Sequence, residues 1–305
     1  MSDKKKLIVI LGPTATGKTK LAVSLAKRFK GEIVSADSRQ VYRGLNIGTG
    51  KDLKDYHLGR TKIPYHLIDV VGPHGDFNVA RYQKLAYQAL NNIWQREKVP
   101  FLVGGTGLYL DAVIKGYQLP TSDPQKQKQI RKKLDKLSLN RLLTQLKKVD
   151  PKTFSVIDQK NRRRVQRSLE IYYETGRPKS LQPKPLRPPY DILILGTAFP
   201  LPEIYDRVSR RLKERLRQGM IREVRALKKR GISWKKMESW GLEYRYISRY
   251  LRGLISYKEL LEQLNREIRH FAKRQLTWFR RDSRIIWLND FSKAEKLVGN
   301  FLSQR

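Results

Sequence analysis

Leu7-Ile-Val-Ile-Leu-Gly-Pro-Thr-Ala-Thr-Gly-Lys-Thr19 (LIVILGPTATGKT) runs a short apolar segment directly into G-x-x-x-x-G-K-T. The five apolar residues read as a buried strand, and helical spacing resumes at Lys18 through Leu21, Leu25 and Phe29. A phosphate-binding loop needs this strand-to-helix setting. Glycines let successive backbone N–H groups converge on phosphate oxygens, and the helix N-terminus adds partial positive charge. Gly12, Pro13, Thr14, Ala15, Thr16, Gly17, Lys18 and Thr19 are therefore the candidate phosphate-binding residues. Lys18 supplies a point charge, and the Thr19 hydroxyl is the weak candidate ligand for Mg²⁺. The loop alone leaves open whether the phosphates belong to a nucleotide or to another diphosphate.

Outward from this stretch, short apolar runs alternate with helical ones. Glu32–Ser35, Tyr65–Val70 and Val99–Val103 read as further strands, and Val79–Gln95 as a long helix with Tyr82, Ala86, Leu90 and Ile93 on one side. From Thr121 the texture becomes Lys/Gln/Leu-rich and helical, closing at the prolines 183, 185, 188 and 189. Asp191–Gly196 (DILILG) then returns as a strand, helices dominate the remainder, and Arg284–Leu288 is a last strand. The fold class is α/β: a P-loop NTPase-like parallel sheet core flanked by helices, with an inserted all-helical domain. Residues 1–120 and 190–305 make the core, and residues 121–189 the insertion.

Charge separates the two parts further. The 305 residues carry 65 Lys+Arg against 28 Asp+Glu, a net of +37, of which +27 falls after residue 120. A polyanion is the partner this implies. Hydrophobic residues at 39% are too many for a disordered basic tail, so the charge decorates a folded protein. The absence of cysteine excludes disulfides, thiolate metal sites and a thiol nucleophile. The four histidines (57, 66, 74, 270) form no H-x-x-x-H pair, and no apolar run reaches the length of a membrane span. A soluble, cytoplasmic, monomeric protein is expected.

Further candidates follow the strands. Asp37, just past the second strand in Ser35-Ala-Asp-Ser-Arg-Gln40, lies where open α/β sheets bind ligands. It suits a general base, or else caps the next helix. Nucleotide hydrolases tend to carry a Mg²⁺-binding Asp after a strand such as Phe101–Val103; this strand leads into Gly-Gly-Thr106 instead, while Asp69 offers an alternative carboxylate. Arg162, Arg163, Arg164 and Arg167 cluster at the start of one helix, suited to phosphates or to a solvated face. In Lys273-Arg-Gln-Leu-Thr-Trp-Phe-Arg-Arg281 aromatic rings interleave with cations, a pattern that fits unstacked RNA bases as well as ordinary core packing. Arg207, Arg210, Arg211 and Arg215 recur every three or four residues, so they share a helix face that closes over a diphosphate or is solvated.

Taken together, GPTATGKT from Gly12, GEIVSADSRQVYRGLNIGTGK from Gly31, YHLIDV from Tyr65, VGGTGLYLDAVIKG from Val103, NRRRVQRSLEIYYETGRP from Asn161, GLEYRYI from Gly241 and KRQLTWFRRD from Lys273 resemble the tRNA dimethylallyltransferases, or tRNA isopentenyltransferases. The matches keep the family's order over nearly the whole chain. The resemblance implies transfer of the dimethylallyl group of dimethylallyl diphosphate to N6 of the adenine at tRNA position 37, beside the anticodon, in tRNAs reading codons that begin with U. Diphosphate would leave and no ATP would be consumed. It implies Thr14 to Thr19 around the diphosphate, with Lys18, Thr19, Thr106, Arg211 and Mg²⁺ neutralising it, and Asp37 as base. The catalytic set would be Asp37, Thr19 and Arg211. The tRNA anticodon stem-loop would meet Asp37, Ser38, Arg39, Gln40, Thr106, Arg163, Arg164, Val165, Gln166, Arg167, Gly241, Tyr244, Arg245, Lys273, Arg274, Gln275, Thr277, Trp278 and Arg280. The insertion would clamp the tRNA. One departure is Glu243 in GLEYR, a carboxylate where some members have none. The competing readings are a small-molecule P-loop kinase, which would recruit Asp37 and Asp69, and a non-catalytic RNA-binding protein.

Overall fold

The computed structural model describes residues 4–120 and 123–304. They form two compact units, 1–114 with 188–305 and 115–187. Residues 121 and 122, where the sequence texture changes, lie outside the described residues.

The first unit is built on β1 (Lys6–Leu11), α1 (Lys18–Arg28), β2 (Gly31–Ala36), a short hairpin of β3 (His57–Leu58) and β4 (Thr61–Lys62), β5 (Tyr65–His66), α2 (Val79–Gln95), β6 (Val99–Gly104) and α3 (Gly107–Ile114). Strand β7 falls at Asp191–Thr197, and after it come α8 (Leu201–Arg217), α9 (Met220–Lys229), α10 (Trp234–Ser239), α11 (Leu242–Leu251), α12 (Tyr257–Phe279), β8 (Ile286–Leu288) and α13 (Ser292–Ser303). Six strands form one parallel sheet in the order β5-β2-β6-β1-β7-β8. Alternation along β1 explains its near-continuous hydrophobicity. Leu7, Val9 and Leu11 face one core with α2 and α3, while Ile8 and Ile10 face another with α1 and α13. A parallel strand covered on both sides has no solvent face to be polar on. A third core gathers Val41, Tyr42 and Leu45 with the apolar sides of α8 to α12.

The strand expected over Tyr65–Val70 stops at His66. Leu67 and Asp69 have positive φ (63° and 58°), which breaks the extended run. At the bend, the buried Lys51 Nζ donates to Asp69 Oδ1 at 2.5 Å and to the Tyr42 carbonyl at 2.8 Å.

The second unit holds α4 (Pro124–Asp135), α5 (Leu139–Val149), α6 (Pro151–Val156) and α7 (Arg162–Thr175). Asp123, Ser138, Asp150 and Asn161 cap them in turn, each side chain accepting a backbone N–H in the first turn. Leu134, Leu142, Leu146, Val165 and Leu169 form its core. Each such side chain contributes about 1.5–3 kcal/mol by burial.

Candidate active site

Three neighbouring strands, β2, β6 and β1, end at one crevice. From β1 comes the phosphate loop, from β2 the Asp37 turn and from β6 the glycine-rich turn into α3. A cavity of about 530 Å³ collects Thr14, Lys18 and Thr19 with Asp37, Gln40, Thr106, Arg211 and Gln275. That size suits a small organic ligand or an extruded base. A second cavity of about 790 Å³ meets the other side of the loop, and Lys18, Thr19, Arg211 and Arg215 line both.

Gly17, at φ 79°, caps α1, so the loop delivers its N–H groups at a helix N-terminus. Thr16 is fully buried, its hydroxyl bonded to the Pro13 carbonyl at 2.9 Å and to Thr197 Oγ1 at 2.6 Å. Its side chain therefore shapes the loop, leaving only its backbone for a ligand. Lys18 Nζ donates to the Pro13 carbonyl at 2.5 Å. Burial, and then the Arg211 charge, push its ammonium down to about 7, while Asp37 pulls the other way. A bound polyanion would restore the charge.

Asp37 makes no helix cap. Its Oδ1 accepts from the N–H groups of Arg39 at 2.8 Å and Gln40 at 3.2 Å, an Asx turn that fixes the carboxylate. Thr106 supports the same turn: its Oγ1 accepts from Ser38 N–H at 3.0 Å, and its own N–H donates to the Ala36 carbonyl. The hydroxyl at the end of β6 thus stands behind the β2 carboxylate. Asp69, the kinase alternative, is instead held by Lys51.

Several residues expected to touch RNA also hydrogen-bond or pack within the protein. Gln275 is 8% exposed; its Oε1 accepts from Thr14 N–H at 2.9 Å and its Nε2 donates to the Gly105 carbonyl at 2.7 Å. Both ends of the amide are spent joining the phosphate loop to the β6 turn. Gln275 packs closely against this turn: a Cβ on Gly105 would stand 2.5 Å from Gln275 Nε2, so the amide would have to shift. Trp278 Nε1 donates to Asp111 at 3.1 Å, whereas Lys273, Arg274 and Thr277 on α12 and Arg280 just after it are exposed. Tyr244 is buried and donates to Glu223. On α7, Val165 belongs to the helical unit's core and Gln166 donates to Asp135, because α7's apolar side carries them inward. Arg167 pairs with Glu170 at 3.0 Å, so Arg163 and Arg164 are the exposed cations of that run. Arg39, Gly241 and Arg245 line the first cavity.

Sequence reasoning missed Glu223. Its carboxylate accepts the N–H groups of Asn46, Ile47 and Gly48 at 2.7–3.1 Å besides the Tyr244 hydroxyl, fastening a loop that forms one cavity wall. Nothing local in its sequence marks that role. Leu108 and Phe271 were missed too. Both line the first cavity while 44% and 40% exposed, an apolar surface suited to a hydrocarbon group or a base face.

Among the described residues no group of three His, Asp or Glu side chains could hold a metal ion. Thr19 beside the loop fits Mg²⁺ only as an ion shared with phosphate oxygens, which is how Mg²⁺ commonly binds. No helix among the described residues is long and apolar enough to cross a membrane.

Comparison with known proteins adds to this geometry. The family model described as "IPP transferase" matches residues 40–282. A tRNA dimethylallyltransferase 1 of Syntrophus aciditrophicus is 46% identical over 98% of this chain and 99% of its own. One from Geotalea daltonii is 45% identical over 93% and 90%. Among solved structures, the tRNA isopentenylpyrophosphate transferase of Bacillus halodurans is similar with a TM-score of 0.70 at 37% identity, covering 98% of this chain and 96% of that one. A eukaryotic dimethylallyltransferase acting on tRNA reaches a TM-score of 0.82 at 27% identity, covering 99% and 80%.

Proposed function

The chain belongs to the IPP transferase family of tRNA dimethylallyltransferases, and from that premise we propose how its cavity moves the dimethylallyl group from its diphosphate to tRNA. The enzyme is a tRNA isopentenyltransferase; the acceptor atom proposed is N6 of the adenine at tRNA position 37, in tRNAs reading codons that begin with U. What carries this reading is one juxtaposition: the phosphate-loop residues Lys18 and Thr19 share a cavity with the Asp37 carboxylate.

An adenine amine is a weak nucleophile, so positioning and stabilisation of the leaving group must supply most of the acceleration. Thr14 to Thr19 receive the diphosphate, and Lys18, Thr19 and Arg211 neutralise the charge that grows on it as the carbon–oxygen bond breaks. Mg²⁺, held by Thr19 together with phosphate oxygens, would supply further charge neutralisation there. The target base leaves its stack at a cost of a few kcal/mol and enters beside Leu108 and Phe271. Asp37, held by the Asx turn and by Thr106 behind it, accepts a hydrogen bond from the amine. As N6 bonds to C1 of the prenyl group, the amine proton passes to the Asp37 carboxylate. Arg39, Gln40, Arg245 and the exposed α12 cations meet the tRNA, and Arg163 and Arg164 of the helical unit provide a second set of phosphate contacts.

The test incubates unmodified tRNA with either labelled dimethylallyl diphosphate or γ-labelled ATP. Label is expected to pass from the prenyl donor to tRNA. Transfer from ATP to a small acceptor, with none reaching tRNA, would restore the kinase reading.

A further inference from the structure

Three arginines on one face of α8 meet different surroundings. Arg207 donates to Glu203 at 2.6 Å and lies 4.0 Å over the Phe199 ring. Arg211 donates to Asp52 at 3.0 Å. Arg215 is 8% exposed, yet its nearest carboxylate oxygen, on Glu243, is 3.8 Å away, and its Nε is enclosed with no acceptor among the described residues. An enclosed donor left unmatched is destabilising, more so when charged, so its retention calls for a cause. The backbone is shaped around it. Gly50 sits at φ 62° against both guanidinium groups, and a Cβ there would collide with Arg215 and Arg211.

We propose that Arg215 is a further diphosphate-binding residue, its guanidinium reaching the phosphate oxygens from the wall shared by the two cavities, with Glu243 as the counter-ion that holds it before the anion arrives. This rests on the donor site argued above and adds to it. Arg215 borders both cavities in company with Lys18, Thr19 and Arg211. The planar fork of a guanidinium matches two phosphate oxygens at once, which a lysine does not. The cluster also repels itself: Arg215 is pushed down to about 10 by burial and then by Arg211, against the pull of Glu243. Bringing a polyanion to such a cluster relieves repulsion and satisfies the orphan donor together.

Calorimetry with inorganic diphosphate and with dimethylallyl diphosphate, each with Mg²⁺, tests this on the full chain. Arg215→Met keeps the volume and removes every donor. Its Kd for both ligands should rise tenfold or more, with tRNA affinity within twofold of wild type and the ligand-free melting temperature unchanged or higher. Unchanged diphosphate affinity, with or without a fall in melting temperature, overturns the proposal and makes Arg215 a packing residue. Glu243→Gln provides an independent reading should Arg215→Met not fold: releasing the guanidinium from its counter-ion should tighten diphosphate severalfold, and unchanged or weaker binding overturns the proposal. Failure of wild type to bind either ligand would instead strike at the donor site itself.

Discussion

The two units treat their cations in opposite ways. In the helical unit, Arg131 grips the buried Glu170 through two hydrogen bonds of 2.9 and 3.1 Å, and Arg167 joins the same carboxylate. Burial alone would raise the Glu170 pKa, but those arginines outweigh it and hold the carboxyl below its ordinary value. In the sheet-bearing unit, the half-buried Lys18 and the buried Arg215 have mainly a carbonyl and a distant carboxylate for company, and both are pushed below their ordinary values. The lesson is that a basic residue's role is set by whether the fold already supplies its anion. Matched cations hold the helices together, and unmatched ones carry a charge that a bound anion would satisfy.

Lys18→Met probes the comparison with the largest expected effect. It should lower kcat/KM for the prenyl donor by about 10³, the scale of losing a preorganised charge aimed at a leaving group. Folding should be unimpaired, because an under-matched, half-buried cation is being removed. Glu170→Ala should do the reverse, costing the helical unit about 2 kcal/mol in a denaturant titration, since both arginine partners are half exposed. Because the folded-state Glu170 pKa is depressed, its contribution is complete above its unfolded value and is lost as pH falls through the folded one. Wild-type stability of this unit should therefore decline below about pH 4.5, a decline that Glu170→Ala blunts.

A smaller effect, about tenfold on KM for the donor, is expected of Gln275→Met, since one hydrogen bond to the phosphate loop and one to the β6 turn are lost. Its tRNA affinity should stay close to wild type; weakened tRNA binding with an unchanged donor KM would return Gln275 to the RNA surface. Least in energy, replacing Arg163 or Arg164 with Ala should reduce the slope of log K for tRNA against log salt by about one each. The same change at Arg167 should leave the slope nearly unaltered, because Glu170 already claims that guanidinium.

Local signals made much of this legible. Strand β1, the loop and α1 announce themselves between Leu7 and Phe29, because apolar run, glycines and helical spacing adjoin in sequence. Val79–Gln95 emerges as a helix with unchanged limits for the same reason. What escaped depends on partners far along the chain. Gln275 sits within a basic run and reads as part of it, yet its partner Thr14 is 261 positions away. Strand β5 ends where Leu67 and Asp69 turn to positive φ and Asp69 meets the distant Lys51, and Asp37 is fixed by a turn that its own sequence allows without requiring. The shared face of Arg207, Arg211 and Arg215 was visible from spacing. Which of them is buried without a matched anion depends on Asp52 and Glu243, contributed by two other places in the fold, while Glu203, the partner of Arg207, sits one turn back on α8 itself.

The central claim, that a carboxylate held beside an under-matched cation cluster takes the amine proton during prenyl transfer, is tested most directly by Asp37→Asn under single-turnover conditions, with tRNA binding measured alongside. The account expects tRNA affinity within about twofold of wild type and a transfer rate lower by about 10²–10⁴, the usual worth of a positioned general base. Transfer at the wild-type rate in that variant would contradict it.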